Sequence, residues 1–264
     1  MSRRPSLVPV AAATLVLLAG CAQGGSGAAS SSPTPSASPS LSGSITVDAA
    51  ASLNEVFPEL ATEFQQRHPG TRVVFSFGGS STLAAQIVSG APVDVFAAAS
   101  TKTMRTVQDA QRTAADPVVI ARNRLEIAVP KGDPGKVTGL ADFADAAKTI
   151  VVCDETVPCG AAAQQVFSLG KIAAKPDSYE PDVTAVLTKV RTGEADAGLV
   201  YVTDVVAAGD QVQGIPFAES DRAITDYPIA ALTDSKNASL AQAWVDFVVA
   251  EGGPDLEAAG FLAP

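Results

Sequence analysis

The stretch Phe75-Ser-Phe-Gly-Gly-Ser-Ser-Thr-Leu-Ala-Ala85 sets three hydroxyls, those of Ser80, Ser81 and Thr82, directly behind a glycine pair. Val73, Phe75 and Phe77 alternate as a strand does, and Leu83, Ile87 and Val88 share a helical face. A helix beginning there has unbonded N–H groups and the positive end of its dipole at its start, so the natural ligand is an anion. The same residues also fit a simpler role, in which Ser80 only caps the helix. Three further helix starts are read behind strands. One is Ser52, with Glu55 three positions on in the spacing of a capping box. The others are Cys159-Gly160, and Val183 after Pro181-Asp182. In open parallel sheets, ligands bind outside the carboxyl ends of the strands, where such starts collect. Two starts from each of two lobes would surround a small anion with N–H donors and two serine hydroxyls, without any cation. Each hydrogen bond to a charged group is worth about 1.5–3 kcal/mol, so roughly six or seven could offset the burial of a dianion.

Other chemistries lack residues. His68 is the single histidine and stands beside Pro69 at a polar helix end. No Gly-x-Ser-x-Gly elbow accompanies it, so a hydrolase built on Ser52 or Ser80 has no evident base. One histidine, with two cysteines besides Cys21, argues against a zinc site. No Gly-x-x-x-x-Gly-Lys loop is present to cradle a nucleotide. The chain has 18 basic and 28 acidic residues, and without Arg3 and Arg4 the balance is 16 to 28, a net charge of −12. A nucleic-acid surface needs the opposite sign. An anion site in so acidic a protein must be buried and made of local dipoles rather than of surface lysines.

The elements that must position these residues occupy only part of the chain. Arg3 and Arg4 precede an apolar run, Leu7 to Gly20, that is short for a membrane span and suits a signal-peptide core. It ends in Leu18-Ala19-Gly20-Cys21, which resembles the bacterial lipoprotein signal and implies cleavage before Cys21, lipid on its sulfur and an extracytoplasmic, membrane-anchored protein. Residues 1–20 are thus expected to be a signal peptide. Residues 21–43, rich in Ser, Gly, Ala and Pro, are expected to be the lipidated cysteine and a tether that cannot fold. From Ser44 on, strand and helix patterns alternate, which predicts α/β architecture with parallel sheets covered by helices. Strands are read at Ser44–Asp48, Thr71–Phe77, Val93–Phe96, Val118–Ala121, Leu125–Pro130, Thr149–Val152, Ala197–Tyr201 and Tyr227–Leu232. Helical spacing is read in the intervening segments, including Ala141–Ala147, and in a terminal helix at Leu240–Ala250. On the outer side of a membrane Cys153 and Cys159 are expected to form a disulfide, two idle thiols being the alternative. Their geometry is not legible in sequence.

Five segments in order are similar to the periplasmic molybdate-binding proteins of ABC transporters. They are Ala49-Ala-Ala-Ser52-Leu53, Phe77-Gly-Gly-Ser80-Ser-Thr-Leu-Ala84, Gly90-Ala-Pro-Val-Asp-Val-Phe96, Val157-Pro-Cys-Gly160 and Gly198-Leu-Val-Tyr-Val-Thr-Asp204. The resemblance implies a two-lobed periplasmic-binding-protein fold, type II-like, with a hinge, closing on a tetrahedral oxyanion. Residues 44–121 and 226–264 would form lobe 1, and residues 122–225 lobe 2. Carried over by motif, Ser52 and Ser80 would each give a hydroxyl and an N–H, Cys159 and Val183 an N–H each, and Tyr201 its hydroxyl. The metal would be touched only through its oxygens. Cys159 stands where Ala is familiar in the family, so its side chain is free to pair with Cys153 and staple the loop. The implied protein is a monomer without cofactor, not an enzyme, that captures molybdate or tungstate and delivers it to the membrane permease of an ABC importer. Sulfate, phosphate or a small organic anion on the same fold, a lipid-anchored serine hydrolase, and a purely structural surface domain are the competing readings.

Overall fold

The computed structural model describes residues 41–264; the signal peptide, Cys21 and most of the tether lie outside the described residues. The first strand begins at Gly43, one residue ahead of the expected start. In the first half of the fold the chain runs β1 (Gly43–Ala50), α1 (Val56–Arg67), β2 (Thr71–Gly78), α2 (Ser80–Val88), β3 (Val95–Ala97), α3 (Thr101–Asp109) and β4 (Val118–Asn123). A second run follows: β5 (Leu125–Pro130), β6 (Ile150–Cys153), α4 (Pro158–Gly170), β7 (Ser178–Glu180), α5 (Val183–Arg191), β8 (Ala197–Tyr201), α6 (Val202–Ala208) and β9 (Val212–Ile215). The chain then returns through β10 (Thr225–Ala231), α7 (Ala238–Glu251) and α8 (Gly253–Ala258).

Two five-stranded sheets result, ordered β2-β1-β3-β10-β4 and β7-β6-β8-β5-β9. In each, three neighbouring strands are parallel and one strand, β10 in the first sheet and β5 in the second, runs against both of its neighbours. Four strands of each sheet therefore share a direction, and their carboxyl ends face one side. The chain passes from one sheet to the other between Asn123 and Leu125, and back before Thr225.

Strand alternation decides which helices cover which face. Ile45, Val47 and Ala49 of β1, Val95 and Ala97 of β3, and Tyr227 and Ile229 of β10 share a core with Phe57, Leu60 and Phe64 of α1 and Trp244 and Val248 of α7. The alternate residues Phe96 and Ala230 face the other way, against Leu83, Ile87, Met104 and Val107 of α2 and α3. Both faces of the first sheet are thus buried. The second sheet has one continuous core, including Ile127, Val152, Phe143, Val166, Val186 and Leu199. Ala51, the residue that follows β1, packs into that second core. The two halves therefore touch where β1 ends.

Several local expectations change. Ser52 does not cap α1: it lies inside the one-turn 3-10 helix Ala51–Leu53, while Glu55 takes the cap position with no side-chain cap bond. Gly79, not Ser80, is the cap residue of α2. The helical segment expected at Ala141–Ala147 is a 3-10 stretch, Leu140–Ala144. Four elements carry no strong sequence pattern and emerge only in the structure: β7, β9, α6 and α8.

Candidate functional site

Strand ends of both sheets, with the loops that follow them, converge on one small cavity. Its wall includes Ala50, Ser52, Gly79, Ser80, Ala99, Val157, Cys159, Asp182, Val183 and Tyr201, so all five residues singled out in the sequence meet there. The cavity volume is about 20 Å³, room for a compact ligand and too little for a nucleotide, sugar or peptide. Among the described residues no Lys or Arg lines it, and the charged residue on the wall is Asp182.

Each contributor is set by its element. β1 runs out at Ala50 and the tight 3-10 turn directs Ser52 inward, where its Oγ lies 2.8 Å from the Tyr227 hydroxyl. Gly79 precedes Ser80, the first residue of α2, whose Oγ accepts from the Ala99 N–H at 3.0 Å. A Cβ on Gly79 would run into the Pro181 carbonyl, which is the reason for a glycine at this crossing between the halves. Across the cavity α4 opens with Pro158 at its first position, the place where a missing N–H costs nothing, followed by Cys159. α5 opens at Val183 behind Asp182, whose carboxylate accepts from the Ala185 N–H at 2.9 Å. The N–H groups of Ser80, Cys159 and Val183 stand in first helical turns and so have no intrahelical acceptor.

Cys153 and Cys159 are joined by a disulfide, with Cα atoms 5.7 Å apart. The bridge ties the end of β6 to the start of α4. The same loop is held by Asp154, which accepts from both the N–H and the hydroxyl of Thr156; those bonds keep its carboxyl below the usual range. Gly160 is obligatory here, because a Cβ would strike the Asp154 carbonyl. A hydrogen bond from Ser81 Oγ to the Thr156 carbonyl, 2.7 Å, links this loop to α2 of the other half.

Tyr201 closes the cavity. It is 1 % exposed, and among the described residues its hydroxyl makes no well-formed hydrogen bond, the Thr225 and Tyr227 hydroxyls being polar neighbours that fall short of one. Burial pushes its phenol well above the ordinary value. Its backbone N–H donates to the Asp204 carboxylate at 2.8 Å. Asp204 is itself buried, and its pKa is pushed up to about 7, by burial first and then by the charge of Asp182, against the lowering effect of the Tyr201 N–H.

Sequence reasoning gave no role to Asp182, Asp204 or Tyr227. Asp182 carried a legible signal, an Asp three residues before Ala185 at a helix start. Asp204 sits at the third helical position after Tyr201, which also invites a capping reading. Tyr227 had no local signal, since its partner Ser52 is 175 residues away.

Residues 45–262 match the family of bacterial extracellular solute-binding proteins. The molybdate-binding protein ModA of Mycobacterium tuberculosis is 39% identical over 251 residues, covering 94% of this chain and 95% of its own length. Among solved structures, the periplasmic molybdate-binding protein of Azotobacter vinelandii is similar with a TM-score of 0.69 at 20% identity, over 83% of this chain and 99% of that one. The sulfate-binding protein SubI of Mycobacterium tuberculosis gives a TM-score of 0.70 at 15% identity, over 83% and 86%. At such identities the likeness in structure speaks for the fold alone, which serves both a molybdate-binding and a sulfate-binding protein.

Proposed function

This chain belongs to the bacterial extracellular solute-binding proteins, and we propose that it captures molybdate, with tungstate as an alternative cargo, and delivers it to the membrane permease of an ABC importer. The observation that carries the reading is the buried, unpartnered Tyr201 hydroxyl on the wall of a cavity into which three helix starts deliver N–H groups. A buried polar atom left unpaired costs about 1–3 kcal/mol, and an anion oxygen is the partner that would relieve it. In this reading Ser52 and Ser80 each give a hydroxyl and an N–H, Cys159 and Val183 an N–H each, and Tyr201 its hydroxyl. The anion is bound through oxygen alone, without a protein ligand to the metal.

Dipoles rather than cations hold the charge, which suits a protein whose net charge is −10. Molybdate is favoured over sulfate by the 39% identity to a molybdate-binding relative; the sulfate-binding protein shares the fold at 15%. The account of the halves as hinged lobes is supported by the two adjacent chain crossings, which fall after Asn123 and before Thr225 rather than at the expected 121/122 and 225/226 boundaries, because Arg122, Asn123 and Thr225 pair within the first sheet. A few connecting residues there can absorb a closure. Membership of an extracellular family gives an extracytoplasmic location, and the Leu18–Cys21 segment supports a lipid anchor at Cys21 on a monomeric receptor.

Against a serine hydrolase stands the position of His68. It closes the far end of α1, about 18 Å of helix from the Ser52 end. A thermal-shift panel tests the function: molybdate and tungstate raise the melting temperature, while sulfate and phosphate at equal concentration raise it less. No rise with molybdate rejects the reading.

A further inference from the structure

The two serines on the cavity wall share a constraint. A hydroxyl carries one proton, and it offers that proton to an anion only if its other hydrogen-bond neighbour is a donor. Ser80 meets the constraint through a neighbour that can only donate, the Ala99 N–H. The neighbour of Ser52 is the Tyr227 hydroxyl at 2.8 Å, which could serve either way. Were Ser52 to donate to Tyr227, its lone pairs would face the cavity and repel an anion. Were Tyr227 to donate, the serine proton would be released into the cavity.

Taking Ser52 as an anion donor, as in the reading above, we propose that Tyr227 is a positioning residue for capture: its phenol donates to Ser52 Oγ and turns the serine proton toward the bound anion. Tyr227 itself is not on the cavity wall. It is completely buried, and its ring is held edge-on between Tyr201, with centroids 6.0 Å apart, and Phe261, at 5.1 Å. Burial above all, with the neighbouring Tyr201 and Asp204, keeps the phenol well above its ordinary value, so it remains a protonated donor at any physiological pH. It is also the third residue of β10, just after the chain returns from the second sheet. One side chain thus backs two of the three hydroxyls that face the cavity, one from each half.

The test is a pair of double-mutant cycles read by molybdate titration of the full chain. Tyr227→Phe keeps the ring packing and should weaken binding by about 3- to 10-fold, the worth of one hydrogen bond. Combined with Ser52→Ala it should cost nothing further, because the proton it orients is gone. Combined with Ser80→Ala the two effects should multiply. Unchanged affinity in Y227F, or losses that multiply with both serine variants alike, would overturn the role. So would a Y227F protein that melts far below wild type without anion, since the hydroxyl would then be structural. A wild-type chain that does not bind molybdate, or an S52A variant that binds as wild type, would instead reject the reading of the site on which the proposal rests.

Discussion

The Tyr201 hydroxyl, buried without a partner, gives opposite expectations for stability and for binding. Removing an unsatisfied buried polar group relieves about 1–3 kcal/mol, so Tyr201→Phe should melt at or above the wild-type temperature in the absence of anion. The same change should weaken molybdate binding by about 1–3 kcal/mol, because the phenol would no longer donate to the anion. Calorimetry and thermal melting on one variant read both signs. A variant that loses stability and keeps affinity would mean the hydroxyl serves the fold. Ser52 teaches a related lesson at this scale. Its type and its spacing to Glu55 match a capping box, yet the strand runs on to Ala50 and turns the serine inward to Tyr227. Local spacing carries no record of a partner that far along the chain.

At the scale of elements, the cavity depends on loops from the two halves approaching without a side chain between them. Gly79 has an ordinary backbone conformation, φ −61°, so its absence of a Cβ is needed for space rather than for the turn. Gly79→Ala should therefore leave each sheet intact while opposing the contact with Pro181, at an overpacking cost of about 1–3 kcal/mol taken from affinity. The expected result is weaker molybdate binding with a nearly unchanged melting temperature without anion; unchanged affinity would mean that this contact does not matter. Elements with strong apolar patterns were legible: β5, read from its alternation, and β8, a continuous buried run, have the bounds expected of them, and α2 begins at Ser80. Those missed are short or unpatterned. β7 is three residues long and half exposed, α6 begins without a break from β8, and α8 starts in Gly253-Pro254, which in sequence looks like an interruption. The disulfide was expected from compartment and proximity; the structure adds that it fixes the start of α4 at the cavity.

The molecule carries a net charge of −10 and buries the carboxylates of Asp48 and Asp204, and this has a pH signature. Asp204 is held near pKa 7 and Asp48 near 6, both through burial, against 3.8 for an unburied aspartate. Each binds a proton more readily folded than unfolded, so its contribution to stability is complete below about pH 4 and is lost as pH rises through its folded value. Wild type should therefore lose stability between pH 4 and 7 more steeply than Asp204→Asn, which has no proton to release there. Parallel slopes in thermal melts across that range would contradict the assignment. Two sheets, two crossings and a cavity between them make the protein a receptor in form, and its relatives point to molybdate as the cargo. The most direct test is calorimetric titration of the purified chain with molybdate and, separately, with sulfate. One-to-one binding of molybdate, tighter than that of sulfate, is the predicted result; no heat of binding with molybdate, or tighter binding of sulfate, would contradict it.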